Sequence, residues 1–403
     1  DYHELDELQF PDPDDPAIYE PAKAFLKANP GKALAFDIIC PFTILHGMRL
    51  MDNMYLDVYD NPEGLHQAVD KIWSVSRRVL ENVLDMGLDI SAVYLLDDIA
   101  SQHSLLFSPK TLDEFLFPCV QEGVQLAKSK NLPVLYHSDG NLTQILPRLA
   151  ELGIDGIWLS PVCMSPQVDN GYDISDYCAI DPMFGTMADM EELIAEAKKR
   201  GISIIFDLVL NHCSDQHPWF KQALESRENP YHNYFIWRDG DGITPPNDMR
   251  ATFGGSAWTW VPQLGQWYFH QFAVEQPDLN WENPKVREEI KKIIKFYLDM
   301  GVDGFRCDVI NLISKDQRFK NGRNPLILVG KKYFINGPRL HEYLHELNRD
   351  VLSNYDAMTV GETVFTNLED VKKLTDLERE ELSMVFNFDH TSVDNFLGVK
   401  WLM

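Results

Sequence analysis

At 403 residues with 45% hydrophobic side chains, the chain has material for one large barrel or for two to three ordinary domains. Its formal charge of −26 excludes nucleic acid and anionic membrane as partners, because no basic stripe is present to neutralise phosphates, and a small neutral ligand fits better. Six cysteines (Cys40, Cys119, Cys163, Cys178, Cys213 and Cys307) are scattered without a CxxC, no apolar run reaches membrane-span length and no charged-then-apolar leader opens the sequence, so reduced thiols and a cytoplasmic protein are expected.

Residues 1–33 begin DYHELDELQFPDPDDPAIYEP, an acidic, proline-rich stretch with little periodicity, and are expected to form a loosely held arm. A repeating unit follows: a short apolar run, a turn, then a long amphipathic segment ending in glycine. Apolar runs at 34–40, 91–98, 133–139, 155–161, 203–212, 304–311, 358–364 and 383–390 predict eight strands. The helices between them are well punctuated. Ser108 and Pro109 open one as cap and first helical residue, and Asn283 and Pro284 open another that exits at Gly301. LDMGLD (84–89), ELGID (151–155) and LDMGVD (298–303) are three versions of one helix-to-strand turn. Strands alternating with helices, and nearly continuous in apolar residues, predict a buried parallel sheet.

Polar residues gather at the C-terminal ends of these runs: Asp97 and Asp98, His137 and Asp139, Asn211 and His212, Arg306 and Asp308, Glu362, Asn387 and Asp389. That rim is where a (β/α)8 TIM-type barrel assembles its site, so a barrel is favoured over a doubly wound sheet, which would also need a GxGxxG that is missing. Between the fifth and sixth strands, about residues 213–283 form an insert that carries WF, YFIW, FGGSAWTW, QWYFHQF and LNW. Its flat rings suit the apolar faces of sugars, and they equally suit the core of an inserted subdomain.

In GFRCDVIN, the side chains of Arg306 and Asp308 share one strand face. Asp308 and Glu362, rim carboxylates on different strands, are what glycoside hydrolysis needs: one attacks the anomeric carbon and the other protonates the leaving oxygen. Arg306 is expected to keep Asp308 ionised, and the apolar setting after MTVG is expected to raise the pKa of Glu362. A buried Arg–Asp pair that only holds a barrel together is the competing reading. Asp207 is read as a supporting hydrogen-bond group.

The motifs GIDGIWLSP, DNGYDISDY, DLVLNH, FGGSAW, QPDLNWENP, GFRCDVIN, NGPRLHEYLHELNRDVL and MTVGET, from about residue 150 onward, closely resemble glycoside hydrolase family 13, in its oligo-1,6-glucosidase, dextran glucosidase and trehalose-6-phosphate hydrolase group. The resemblance implies a retaining α-glucosidase with Asp308 as nucleophile and Glu362 as acid/base. It implies that Asp169, Tyr172, His212, Phe253, Phe272, Gln276 and Arg306 surround the glucose, and that Val309 marks a preference for α-1,6 bonds. A small oligosaccharide substrate and no cofactor are expected, and the oligomeric state is left open. The family's first strand with its calcium loop is not found before GIDGIWLSP, so no calcium is expected there. Its third carboxylate falls beyond Met403, so impaired activity is expected, by on the order of 100- to 1,000-fold.

Residues 35–155, with LDVYDNPEGL, LLDDIASQ, LLFSPKTLDEFLFP and YHSDGNLTQILPRLAELGID, resemble instead the uroporphyrinogen decarboxylase and corrinoid methyltransferase superfamily, also a (β/α)8 barrel. There a His-x-Cys pair binds zinc; here the pair is His137 and Asp139, and a hydrogen-bonded rim cluster is expected rather than a metal. The chain therefore reads as a hybrid: an arm at 1–33, a decarboxylase-like half barrel at 34–155 and a glycoside hydrolase-like part at 156–403. An inactive barrel that binds sugar, and a decarboxylase- or methyltransferase-like activity of the first part, are the alternatives.

Overall fold

The computed structural model describes residue 7 and residues 9–28, 35–101, 103–322 and 329–387. Two compact units divide the chain: residues 1–157 with 199–203, and residues 158–198 with 204–403.

In the first unit, helix α1 (Glu20–Ala28) precedes strand β1 (Ala35–Ile39), and α2 (Pro41–Arg49), α3 (Met51–Asp60) and α4 (Pro62–Asp85) lead to β2 (Ala92–Leu96). Then come α5 (Pro109–Phe115), α6 (Phe117–Ser129), β3 (Val134–His137), α7 (Leu146–Leu152) and β4 (Gly156–Leu159). The strands pair in parallel and in chain order, with Ala35 opposite Ala92, Val93 opposite Val134 and Leu135 opposite Gly156. Local chemistry sets the helix ends: Asn61 and Ser108 accept the N–H of Gly64 and Thr111, each followed by a proline in the first turn. The core packs Ile38, Val93, Leu95 and Val134 of the strands against Ile72, Leu80, Leu112 and Val120 of the helices.

Within the described part of the expected arm, residues 13–19 are tied to the rest of the unit. Asn82 of α4 donates to the Pro13 carbonyl at 2.8 Å and to Asp14 at 2.9 Å, and Arg78 pairs with Asp14 at 2.9 Å. Tyr19, buried against Val83 and Ile90, supplies an apolar anchor that acidity and prolines disguise in the sequence.

In the second unit the end of β4 is followed by the hairpin of β5 (Cys163–Met164) and β6 (Asp176–Ile180), then α8 (Met187–Lys199) and β7 (Ser203–Val209). An insert carries α9 (Pro218–Ala223), β8 (Trp237–Asp239), β9 (Trp258–Val261) and β10 (Gln266–Phe269). The repeat resumes with α10 (Pro284–Met300), β11 (Gly304–Asp308), α11 (Leu340–Asp350), β12 (Met358–Thr363), α12 (Leu368–Leu374) and β13 (Met384–Asn387). β7, β11, β12 and β13 run parallel and in chain order, with Arg306 between Asp207 and Val360, and Glu362 opposite Phe386. α10 begins and ends as its sequence dictates, with the Asn283 side chain capping Lys285 and Gly301 left-handed at φ 107°. Main strands and helices thus alternate in (β/α)8 TIM-type order, and all eight predicted strands are present. Residues 388–390 of the last predicted strand, Asp389 among them, lie outside the described residues.

The insert folds as an antiparallel sheet in the order β8-β10-β9, with Trp260 opposite Trp267. Trp258, Trp267 and Phe269 pack with Phe319 and Tyr333 into one core, and Trp237 and Trp281 are also buried. Of the two readings of these rings, the core is the one the structure supports for those four tryptophans. Removing Trp258, 2% exposed and bonded through Nε1 to Asn247 at 2.9 Å, opens a large cavity and breaks a buried hydrogen bond. Trp258→Ala is expected to lose about 3–5 kcal/mol, read as a shift of the denaturant midpoint.

Candidate active site

Strand geometry alone brings the first group of polar residues together. β11 puts Arg306 and Asp308 on one face, the register with β7 places Asp207 opposite Arg306, and β12 sets Glu362 two residues beyond Val360, Arg306's partner on the other side. Arg306 Nη1 donates to Asp308 Oδ1 at 2.7 Å and to Asp207 at 2.9 and 3.1 Å, while Nη2 donates to Glu362 Oε2. The guanidinium lies 5.2 Å from the Trp158 ring centre and 5.6 Å from that of Tyr172. Trp158 Nε1 and the Tyr172 hydroxyl each donate to Asp207 Oδ2 at 3.2 Å.

One buried cation thus faces three carboxylates. Burial pushes the Asp308 carboxyl well above its ordinary range; Arg306 pulls it back, and the charges of Asp207 and Glu362 push it further up. Burial likewise raises Asp207, to about 6, against the pull of Arg306. Asp207 and Asp308, flanking one guanidinium, are therefore not independent charges.

These observations correct two expectations. Arg306 favours the ionised form of Asp308 as expected, but burial pushes the other way and is the larger influence. Nor is Glu362 in an apolar setting: its Oε2 accepts from Arg306 and from the Val309 N–H at 3.3 Å. Val309 reaches that position with a left-handed backbone (φ 34°), an unfavourable conformation for a β-branched residue.

A second group rests on the turn DNGY. Asn170 and Gly171 are left-handed, and a Cβ on Gly171 would come within 2.8 Å of the Pro161 carbonyl oxygen, so only glycine fits. The buried Asp173 side chain holds the turn through the N–H groups of Val168 and Asp169, each at 3.0 Å. Asp169 accepts from Gln276 Nε2 at 2.8 Å, and that nitrogen lies 3.1 Å from His212 Nε2. Burial lowers the His212 pKa, which favours the neutral ring. Phe272 stands 5.0 Å from His212 and Phe253, largely exposed, 5.8 Å from Phe272. Val309 and Phe272 meet in one apolar cluster with Leu312 and Phe334.

Contacts in one unit thus link all ten predicted residues: Asp308, Glu362, Arg306 and Tyr172 around Asp207; Asp169, Gln276 and His212 on the DNGY turn; and Val309, Phe272 and Phe253 along the apolar wall. Sequence reasoning undervalued Asp207 and missed Trp158. A lone aspartate inside the apolar run SIIFDLVL was the available signal for the first; nothing short of strand register shows the second.

In the first unit, His137 lies 3.3 Å from Asp98 and 3.6 Å from Asp139. Among the described residues this is the group whose ligand atoms, all within 4.8 Å of one another, could hold a metal. Nδ1 faces Asp98 and Nε2 faces Asp139.

Comparison with known proteins gives two family matches. Residues 138–402 match the alpha-amylase catalytic domain, and residues 1–198 match uroporphyrinogen decarboxylase. The chain is 53% identical over 260 residues to a trehalose-6-phosphate hydrolase of Escherichia coli (strain K12), covering 64% of this chain and 46% of that protein. It is 51% identical over 259 residues to an oligo-1,6-glucosidase of Parageobacillus thermoglucosidasius, again covering 64% and 46%. The crystal structure of Bacillus licheniformis trehalose-6-phosphate hydrolase superimposes with a TM-score of 0.61 at 49% identity, over 64% of this chain and 46% of that one. The chain spans about half the length of the curated relatives it matches.

The raised Asp207 pKa has a stability consequence with a definite sign. A carboxyl that titrates higher folded than unfolded contributes stability below its ordinary pKa of 3.8 and loses it as pH rises through about 6. Asp207→Asn is expected to remove that contribution, so the wild-type chain should lose melting temperature relative to the variant between pH 4 and 6. A constant difference across that window contradicts the assignment.

Proposed function

The chain belongs to the alpha-amylase family, and from that premise we propose that it is a retaining α-glucosidase acting on short α-glucosidic oligosaccharides, with α-1,6 bonds preferred. One observation carries this reading: a single guanidinium, that of Arg306, holds both Asp308 and Glu362, and so brings two carboxyls from separate strands to one point. A retaining mechanism needs such a close pair, about 5 Å apart, with one member ionised and the other protonated. Arg306, paired with Asp308, draws that carboxyl toward the ionised form a nucleophile needs.

In this reading Asp308 attacks the anomeric carbon while Glu362 gives its proton to the departing oxygen. A covalent glycosyl-enzyme forms, Glu362 then takes a proton from water, and glucose leaves with its configuration retained. Asp169, Gln276 and His212 present an acceptor and donors to sugar hydroxyls, the Tyr172 ring provides a flat wall, and Phe253 and Phe272 line the apolar side. Val309, next to the nucleophile, is the feature that supports the α-1,6 preference, and the oligo-1,6-glucosidase relative agrees with it.

We read residues 34–155 as a decarboxylase-like half of the barrel and 156–403 as the amylase-like part; the two family matches overlap across 138–198, around the ELGID turn. A cytoplasmic setting accords with six free cysteines, five of them buried. Among the described residues, no helix is long and apolar enough to cross a membrane.

The purified chain is expected to release nitrophenol from a nitrophenyl α-glucopyranoside, and Asp308→Asn to lower the rate at least about 1,000-fold. NMR of the first-formed sugar should show the α anomer; β-glucose, or undiminished release by the variant, contradicts the mechanism.

A further inference from the structure

The inserted sheet has two faces, and only one of them is its tryptophan core. Along β10, Trp267 and Phe269 lie opposite Trp260 and Trp258 on the core side, so Tyr268 and its partner Thr259 face the other way. His270, two residues beyond Tyr268, joins that second face, with its ring centre 5.7 Å from that of Tyr268. It is buried, and its own N–H donates to the Ala257 carbonyl at 2.9 Å.

The partners of the His270 ring determine where its proton sits. Nδ1 lies 3.1 Å from the Phe272 carbonyl oxygen, and Nε2 lies 3.0 Å from the Thr259 hydroxyl. A carbonyl oxygen can only accept, so Nδ1 carries the proton. A hydroxyl can also donate, so Thr259 serves the bare Nε2. Burial lowers the His270 pKa, against the pull of the Phe272 bond and of the Asp278 and Glu275 charges, and so favours this neutral form.

The bond from Nδ1 falls on a peptide unit that is held at both poles. The peptide joining Phe272 to Ala273 is planar, and its N–H donates to Gln276 Oε1 at 3.0 Å. With that oxygen committed, Nε2 is the Gln276 atom that reaches Asp169, at 2.8 Å. Two residues on, the Val274 carbonyl takes the Tyr268 hydroxyl at 2.8 Å. The second face of the insert thus grips the carbonyls of residues 272 and 274. Between that grip and the sugar-facing groups stand only the Phe272 ring, 5.0 Å from His212, and the Gln276 amide.

We propose that His270 is a positioning residue: as the Nδ1–H tautomer, with Tyr268 beside it, it fixes the 272–273 peptide and so orients the Phe272 ring and the Gln276 amide. Only the consequence for sugar binding rests on the proposed glucosidase function; the tautomer does not.

The test is a long-range proton–nitrogen NMR spectrum of the histidine-labelled chain at mildly alkaline pH, with His270→Asn identifying the signal by its loss. The native ring is expected to be protonated on Nδ1 and bare on Nε2, and a bare Nδ1 overturns the proposal. Turnover of a nitrophenyl α-glucopyranoside then separates positioning from packing. In Asn the amide nitrogen takes the place of Nδ1, whereas in Gln it takes the place of Nε2. His270→Gln is expected to raise KM about tenfold with kcat little changed, and His270→Asn to restore most of that loss. Equal losses in the two variants mark a packing role and overturn the proposal. Where His270→Gln does not fold, Tyr268→Phe, which removes the bond to the Val274 carbonyl, carries the same expectation for KM, and an unchanged KM there overturns it. A chain that turns over no glucoside refutes the proposed function, and the tautomer then decides this proposal alone.

Discussion

The Arg306 guanidinium is the interaction on which the rest of the site depends. It is buried, and it meets Asp207 and Asp308 in surroundings where an unpaired charge costs several kcal/mol. Such a group survives only if every partner arrives in register. β7 must offer Asp207 at the paired position, β11 must keep Asp308 on the same face, and β12 must carry Glu362 within reach. A one-residue slip in any of these strands would turn a carboxylate to the other face and leave the cation exposed to apolar side chains. The parallel order of these three strands is thus enforced by charge as well as by hydrophobic burial.

Around that centre the structure spends conformational strain where chemistry benefits from it. Val309 holds a left-handed backbone, and its N–H bonds the carboxylate that Arg306 also grips. The DNGY turn is tied by Asp173 so that Tyr172 and Asp169 fall on opposite sides of one bend. The insert needs no such device: four of its tryptophans are buried in its core, and its stability is of the ordinary hydrophobic kind. Rigid packing outside and strained polar geometry inside is the division expected of a preorganised site.

Much of this was legible in the sequence because it depends on distances along the chain. Strand periodicity, the Asn283–Pro284 and Ser108–Pro109 caps and the recurring MGLD, LGID and MGVD turns mark the repeating units directly. The i, i+2 spacing of Arg306 and Asp308 marks the shared face. What the sequence concealed depends on distances between strands. The Asp207–Arg306 pairing is a matter of register, and Trp158 joins it only through the fold. Glu362 follows an apolar run yet is bathed in donors from β11. The acidic opening reads as loose until Tyr19 is seen in its niche, and the tryptophan-rich insert reads equally as cleft or as core until its side chains are placed.

The central claim is that Arg306 assembles Asp308 and Glu362 into a pair that works by a covalent intermediate on Asp308. The most direct measurement is to incubate the chain with 5-fluoro-α-glucosyl fluoride, which slows breakdown of a glycosyl-enzyme, and to digest it and locate the label by mass spectrometry. The account predicts one fluoroglucosyl group on the peptide containing Asp308. A label on any other residue, or none on a folded chain that hydrolyses glucosides, contradicts it.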